Sequence, residues 1–220
     1  MADYLYLDIE TIPTTDPDAI AAISASITPP ASMKKAETIA AWEADEKPNK
    51  IAEAVSKTSF DGAYGCVCCI GWAWNDDEPL SVVDRDEEHL LGILADLDRP
   101  SLERPIIVGH YVAGFDIRFL WQRAFVLGVT LPVWFPRDPK PWSDEVHDTM
   151  TMWAGNRDTI SLDNLCKALG VPGKDDIDGS MVAGMWERGE HEKIAEYCMA
   201  DVERARAVHR KMLRAFGEVE

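Results

Sequence analysis

Residues 191–216 read HEKIAEYCMADVERARAVHRKMLRAF. Apolar side chains recur at steps of four and three, at Ile194, Cys198, Ala205, Val208 and Met212, which predicts a long helix with one buried stripe. Asp201 stands on that stripe. An unpaired buried charge costs several kcal/mol, so a carboxylate here must neutralise, pair with a buried Arg or Lys, or bind a metal.

At the other end of the chain, Tyr4-Leu5-Tyr6-Leu7-Asp8-Ile9-Glu10 alternates as a strand. Asp8 and Glu10 are two apart, so their side chains leave the same face with roughly 7 Å between Cα atoms. A third place of interest is residues 106–116, where the β-branched run Ile106, Ile107, Val108 breaks at Gly109 and an amphipathic helix follows. Asp116 falls in the first turn of that helix. Four acids, Asp8, Glu10, Asp116 and Asp201, therefore stand at the ends of predicted elements or on a buried stripe. Singly, each has an ordinary reading as a solvated strand end, a helix-start acid or a paired core charge.

Together, these residues make the chain resemble the DEDD superfamily of 3′-5′ exonucleases. Asp8-Ile9-Glu10 is similar to its Asp-x-Glu first motif, and Phe115-Asp116 after the glycine-broken strand is similar to its second. Tyr197-Cys198-Met199-Ala200-Asp201 matches the Tyr-x3-Asp third motif of the tyrosine (DEDDy) subgroup. Within the superfamily, residues 174–180 and 196–202 look like the stand-alone exonucleases related to the proofreading domain of family B DNA polymerases. One departure stands out. The second motif usually carries an asparagine a few residues before Phe-Asp, and Tyr111 occupies that place here.

The resemblance implies a metal-dependent 3′-5′ exonuclease that hydrolyses single-stranded 3′ ends and releases nucleoside monophosphates. DNA is favoured over RNA by family likeness alone. It implies two divalent cations, Mg2+ or Mn2+, since an all-oxygen donor set suits hard ions. By the same resemblance Asp8 bridges both ions, Glu10 and Asp201 complete the shell of the ion that holds the nucleophilic water, and Asp116 serves the second. Tyr197, four residues before Asp201, would orient the attacking water; at its usual pKa near 10 it suits orientation better than proton abstraction. Phe115, Arg118 and Lys174 are the candidate substrate contacts. The alternatives are a 3′-5′ exoribonuclease of the same superfamily and a non-catalytic nucleic-acid or polymerase-binding module, which would be marked by a lost metal acid; none is lost.

Composition bounds these readings. A chain of 220 residues with 46% hydrophobic content fits one α/β domain. No run of 18 apolar residues occurs, so no membrane span is expected. An acid of the first motif at position 8 leaves no room for a cleaved signal peptide, and a cytoplasmic location is expected. Of the five cysteines, Cys66 and Cys69 form a Cys-x2-Cys, but a zinc site needs a second ligand pair at fitting spacing and none is present. Small buried hydrophobes are the better reading.

The formal net charge of −17 is opposite to the basic footprint of most nucleic-acid enzymes. It predicts weak, salt-sensitive, low-processivity binding through a local basic strip, for which Lys34, Lys35, Lys57, Arg118, Arg123, Arg137, Lys140 and Lys174 are the candidates. So acidic a surface also suits docking of a basic protein partner. The eight tryptophans read as core or loop anchors.

Strands are predicted at 4–10, 67–74, 80–84, 105–109 and 145–147, and helices from Asp86, over 115–127, from Ser161, near Ser180 and over 191–216. The order β-β-β-α-β-α-β-α fits a ribonuclease-H-like mixed five-stranded sheet flanked by helices. Residues 13–60 form an insertion after the first strand, with helical runs near 17–25, 36–44 and 48–56. It is too long for a structureless loop and leaves the sheet just after Glu10, so it is read as a lid or strand guide, or as a peripheral decoration. His147-Asp148 resembles an acid-base pair, but strand neighbours point apart, and Asp148-Thr149 better begins a helix.

Overall fold

β1 (Tyr4–Ile12) lies in the middle of the sheet because both of its faces are apolar over the first half: Leu5, Leu7 and Ile9 are buried on one side and Tyr6 on the other. It pairs antiparallel with β2 (Cys66–Trp74), which pairs antiparallel with β3 (Leu80–Val83). On its other edge it runs parallel to β4 (Ile106–Gly109), which runs parallel to β5 (Val146–Asp148). The order β3-β2-β1-β4-β5 is that of an α/β, ribonuclease-H-like mixed sheet. The computed structural model describes residues 3–97, 104–140, 143–173 and 178–218.

The insertion after β1 contains α1 (Pro17–Ser26), α2 (Ala36–Asp45) and α3 (Lys47–Ser56). Only Trp42 among their side chains is fully buried, because these helices pack chiefly on one another. A 3-10 turn, Lys57–Phe60, carries the chain back to the sheet beside β1.

Beyond the meander come α4 (Glu87–Asp96), α5 (Asp116–Leu127), α6 (Thr149–Ala154), α7 (Leu162–Leu169), α8 (Val182–Glu187) and α9 (His191–Phe216). Asp86 and Ser161 cap α4 and α7 as expected, and Gly128 and Gly170 end α5 and α7 in the left-handed region that glycine adopts without strain. Leu90, Leu91 and Leu94 of α4 with Ile117, Phe119 and Leu120 of α5 pack against Leu5, Leu7, Ile9 and Ile107 to form the main core. α9 and α8 cover the opposite face. α9 approaches so closely that a Cβ on Gly71 of β2 would stand 2.6 Å from Cys198 Sγ.

Two expectations change. The fifth strand spans Val146–Asp148 rather than 145–147, and Asp148 is both its last residue and the N-cap of α6. Arg123 does not belong to a basic strip: it is 6% exposed and donates Nε and Nη2 to the Glu87 carboxylate at 2.9 and 2.8 Å. Its Nη1 also donates to the Gly62 carbonyl at 3.0 Å, so this arginine fastens α5 to α4 and to the segment entering β2.

α9 buries a second polar cluster away from Asp201. His209, fully buried, meets Tyr6 Oη at 3.1 Å through Nδ1 and His147 Nδ1 at 2.8 Å through Nε2. One neutral tautomer satisfies both bonds, with the phenol donating to Nδ1 and Nε2–H donating onward. Burial pushes the Tyr6 phenol up to about 12, and burial followed by the neighbouring His147 pushes His209 down to about 3. Because the folded value lies below the unfolded value near 6.5, the unfolded chain binds the proton first, so this histidine's contribution to stability is complete above that pH and is lost as pH falls toward 3. An NMR titration should find the His209 ring still neutral at pH 5; a midpoint near 6.5 would contradict its burial.

Candidate active site

β1 carries two acids where its apolar alternation stops. Asp8 lies opposite Gly71 and Glu10 opposite Cys69, and directly after Glu10 the register shifts as Cys68 is skipped. Such a bulge bends the strand and re-aims the side chains beside it. Cys68 donates its thiol to the Glu10 carbonyl at 3.4 Å. Asp8 is half-buried, whereas Glu10, Asp116 and Asp201 are 8%, 4% and 6% exposed.

Asp116 reaches this strand from the first turn of α5. Its Oδ1 accepts the Ile9 backbone N–H at 3.0 Å, which anchors it between the two acids of β1. The loop before it is braced by Asp148, whose carboxylate accepts from the N–H groups of Tyr111 and Ala113 at 3.0 and 3.1 Å while capping α6 through Met150 N–H at 3.0 Å. Tyr111 adopts φ 62°, a left-handed conformation that costs an aromatic residue energy and that asparagine tolerates. His110 is held by Thr149 Oγ1 at 3.0 Å and the Ile160 carbonyl at 2.8 Å, so it lines this turn.

Asp201 and Tyr197 come from the buried stripe of α9. Tyr197 lies one helical turn before Asp201 on the same face of α9. Burial, then Asp201, Glu10 and Asp8, raise the phenol above its ordinary range, so it remains a proton donor. Cys198 donates its thiol to Asp8 Oδ2 at 3.4 Å. Ligand atoms of Asp8, Glu10 and Cys198 lie within 4.8 Å of one another.

The electrostatics join all four acids. Burial, then Glu10, Asp116 and Asp201, hold Asp8 well above the usual carboxylate range, against the thiol of Cys198. Asp116 is pushed up to about 8, first by burial; the backbone N–H groups of Asp116 and Ile9 lower it, and Asp148 and Asp201 raise it. Two carboxylates 4 Å apart repel by roughly 4 kcal/mol at an effective dielectric of 20, so such a cluster calls for cations.

Among the described residues, a cation stands beside the cluster. Arg204, one turn beyond Asp201, donates Nη1 to Asp201 Oδ1 at 3.0 Å and Nε to the Gly173 carbonyl at 3.1 Å. A metal-free reading of Asp201 demands a cationic partner, and Arg204, its side chain 12% exposed, supplies one. It does not remove Asp201 from the cluster, since the Asp201 charge still acts on Asp8 and Asp116. Among the described residues, this one guanidinium leaves four carboxylates far from neutral. The donor set fits hard divalent ions: four carboxylates supply oxygen, while burial raises the Cys198 thiol and keeps sulfur protonated rather than available as a soft ligand.

The family model described as "Predicted 3'-5' exonuclease related to the exonuclease domain of PolB" matches residues 78–220, well over half of the chain. The chain belongs to this family. The matched region holds Asp116, Tyr197 and Asp201, while Asp8 and Glu10 lie before it. Among solved structures, the family B DNA polymerase from the hyperthermophilic archaeon Pyrobaculum calidifontis is similar at a TM-score of 0.58 and 16% identity, over 98% of this chain. The chain spans 25% of that polymerase, and the likeness is one of fold. No curated protein matches the sequence.

Among the expected substrate contacts, Phe115 is half-buried at the N-cap of α5, next to Asp116. Arg118 is exposed, two residues beyond Asp116 and therefore on another side of α5, and its charge acts on Asp138. Lys174 lies outside the described residues, as does Trp142. Asp148 and Cys198 touch the site without having been singled out for it. The bonds of Asp148 go to backbone groups far off in sequence, which no side-chain pattern discloses. Cys198 carried a signal, since it shares the helix stripe of Asp201. No described helix is long and apolar enough to cross a membrane.

Proposed function

We propose that this exonuclease removes nucleoside monophosphates from single-stranded 3′ ends of DNA, using two divalent cations, Mg2+ or Mn2+, held by Asp8, Glu10, Asp116 and Asp201. The observation that carries the proposal is the convergence of these four acids, three of them almost fully buried and mutually repelling, on elements far apart in the chain. Bound ions would supply an activated water and neutralise charge on the leaving oxygen. The chain's own groups do the rest. Ile9 N–H fixes Asp116, the Cys198 thiol fixes Asp8, and Tyr197, one helical turn before Asp201, would orient the water.

The preference for DNA rests on similarity to a polymerase domain, and an exoribonuclease would share every residue named. The Arg204–Asp201 pair favours a second reading, a non-catalytic nucleic-acid-binding module in which the guanidinium stands permanently in place of metal. One assay separates them: degradation of deoxy- and ribo-oligonucleotides labelled at either end, with Mn2+ or with chelator, by wild type and Asp201→Ala. Stepwise loss from the 3′ end of the deoxy strand, abolished by chelation and by the substitution, is expected. Equal activity in Asp201→Ala would contradict the mechanism, and loss from the 5′ end would contradict the polarity. The 13–60 segment we assign as a strand guide within one exonuclease domain, and cleavage undiminished by its deletion would contradict that role.

A further inference from the structure

We infer that Arg204 is a displaceable counter-ion, which holds Asp201 in the metal-free protein, lets go of it when a divalent cation enters, and so sets the cation concentration at which the site fills. This rests on the exonuclease reading and deepens it. Asp201 and Arg204 lie three residues apart on one face of α9, with both side chains largely buried. Salt screens such a pair poorly, and a carboxylate stripped of its partner there is costly. The neighbouring arginines of the helix are engaged elsewhere. Arg206 donates Nη1 to the Asn75 and Asp77 carbonyls at 3.3 and 2.6 Å, and Arg210 donates Nη2 to the Asn75 carbonyl at 3.2 Å, so both tie α9 to the turn between β2 and β3. Arg204 faces the acids instead, with Nη1 3.0 Å from Asp201 Oδ1.

Two properties make this pair exchangeable rather than permanent. The first is charge. Glu10, Asp116 and Asp201 all act on Asp8, and one guanidinium leaves most of that repulsion in place. A divalent cation brings twice the charge and bonds directly to oxygen, whereas a guanidinium can only donate hydrogen bonds. Two cations on one carboxylate repel each other, so the stronger ligand must work against Arg204 or expel it. The second property is a separate anchor. Arg204 donates Nε to the Gly173 carbonyl at 3.1 Å, through a different nitrogen from the one on Asp201, so the side chain stays tethered when Nη1 withdraws. In a metal-free site the arginine therefore stabilises the fold, and against an incoming ion it is a competitor. A purely structural Arg204 would act in the opposite sense, since an Asp201 left unheld would grip the ion less well.

The test is titration calorimetry of Mn2+ into wild type, Arg204→Gln and Arg204→Lys without nucleic acid, with the melting temperature of each recorded in chelator. Arg204→Gln should bind Mn2+ roughly tenfold more tightly than wild type, and Arg204→Lys, which keeps the charge, should stay close to wild type. In chelator Arg204→Gln should melt about 4 °C lower, a gap that closes in saturating Mn2+. Wild type alone gives a second measurement: the Arg204 Nη protons, held by Asp201, should be resolved by NMR in chelator and lost on addition of Mg2+. Equal or weaker Mn2+ binding by Arg204→Gln, or Nη protons that persist at saturating Mg2+, would overturn the inference. Mn2+ binding by Arg204→Gln but not by wild type would uphold the competition and overturn the exonuclease reading. Binding by neither would overturn both.

Discussion

Asp8→Asn is expected to lower the rate of 3′-end cleavage by roughly a thousandfold, because an ion's several kcal/mol of transition-state stabilisation corresponds to a factor of ten per 1.4 kcal/mol. The same substitution should raise the melting temperature of the metal-free protein. Asp8 is repelled by Glu10, Asp116 and Asp201, and asparagine is nearly isosteric and can still accept the Cys198 thiol. Relief of order 1 kcal/mol would appear as about 2–4 °C in a chain of this length. Opposite signs for activity and stability are what a metal cluster predicts. A merely structural carboxylate would lose stability on substitution and leave activity little changed.

The second large effect comes from adding the ion. In metal-free protein the folded Asp116 carboxyl titrates at about 8, against 3.8 for its ordinary value. The unfolded chain therefore releases its proton first, so the stabilising contribution is complete below 3.8 and is lost as pH rises toward 8. His209 and His147 act in the opposite sense, but only below about 6.5, so between 6.5 and 8 the slope follows the acids, and the buried thiols of Cys68 and Cys198 add to it in the same sense. In that window the melting temperature should fall with rising pH in chelator. At about a hundred times its dissociation constant, Mn2+ should add about 2.7 kcal/mol, or about 5–10 °C, and reverse the slope. Differential scanning calorimetry at three pH values measures both. A melting temperature indifferent to Mn2+ would dismiss the cation site, whatever the activity.

Much of this was readable in the chain because the informative elements are long or strongly patterned. The 26 residues of α9 repeat their apolar stripe often enough to expose Asp201 as the misplaced member, and the alternation of β1 does the same for Asp8 and Glu10. The 3-10 turn Lys57–Phe60 is too short to show a period, so the placement of Phe60 emerges only in three dimensions; Asp148 is readable as a helix start, but its bonds to the Tyr111 and Ala113 N–H groups are not. Arg123 reads as surface charge until Glu87 is seen opposite it, a pairing between two helices that no local spacing reveals. Arg204 is different. It lies three residues after Asp201, a spacing that puts both on one helical face, so its pairing could have been anticipated.

That arginine sharpens the central question, whether Asp201 serves metal ions or a guanidinium. A crystal of the protein grown with Mn2+, with diffraction recorded at the manganese absorption edge, answers it. Anomalous density among the carboxylates of Asp8, Glu10, Asp116 and Asp201 is the predicted result. A map with no such density, in which Arg204 alone still neutralises Asp201, would contradict it.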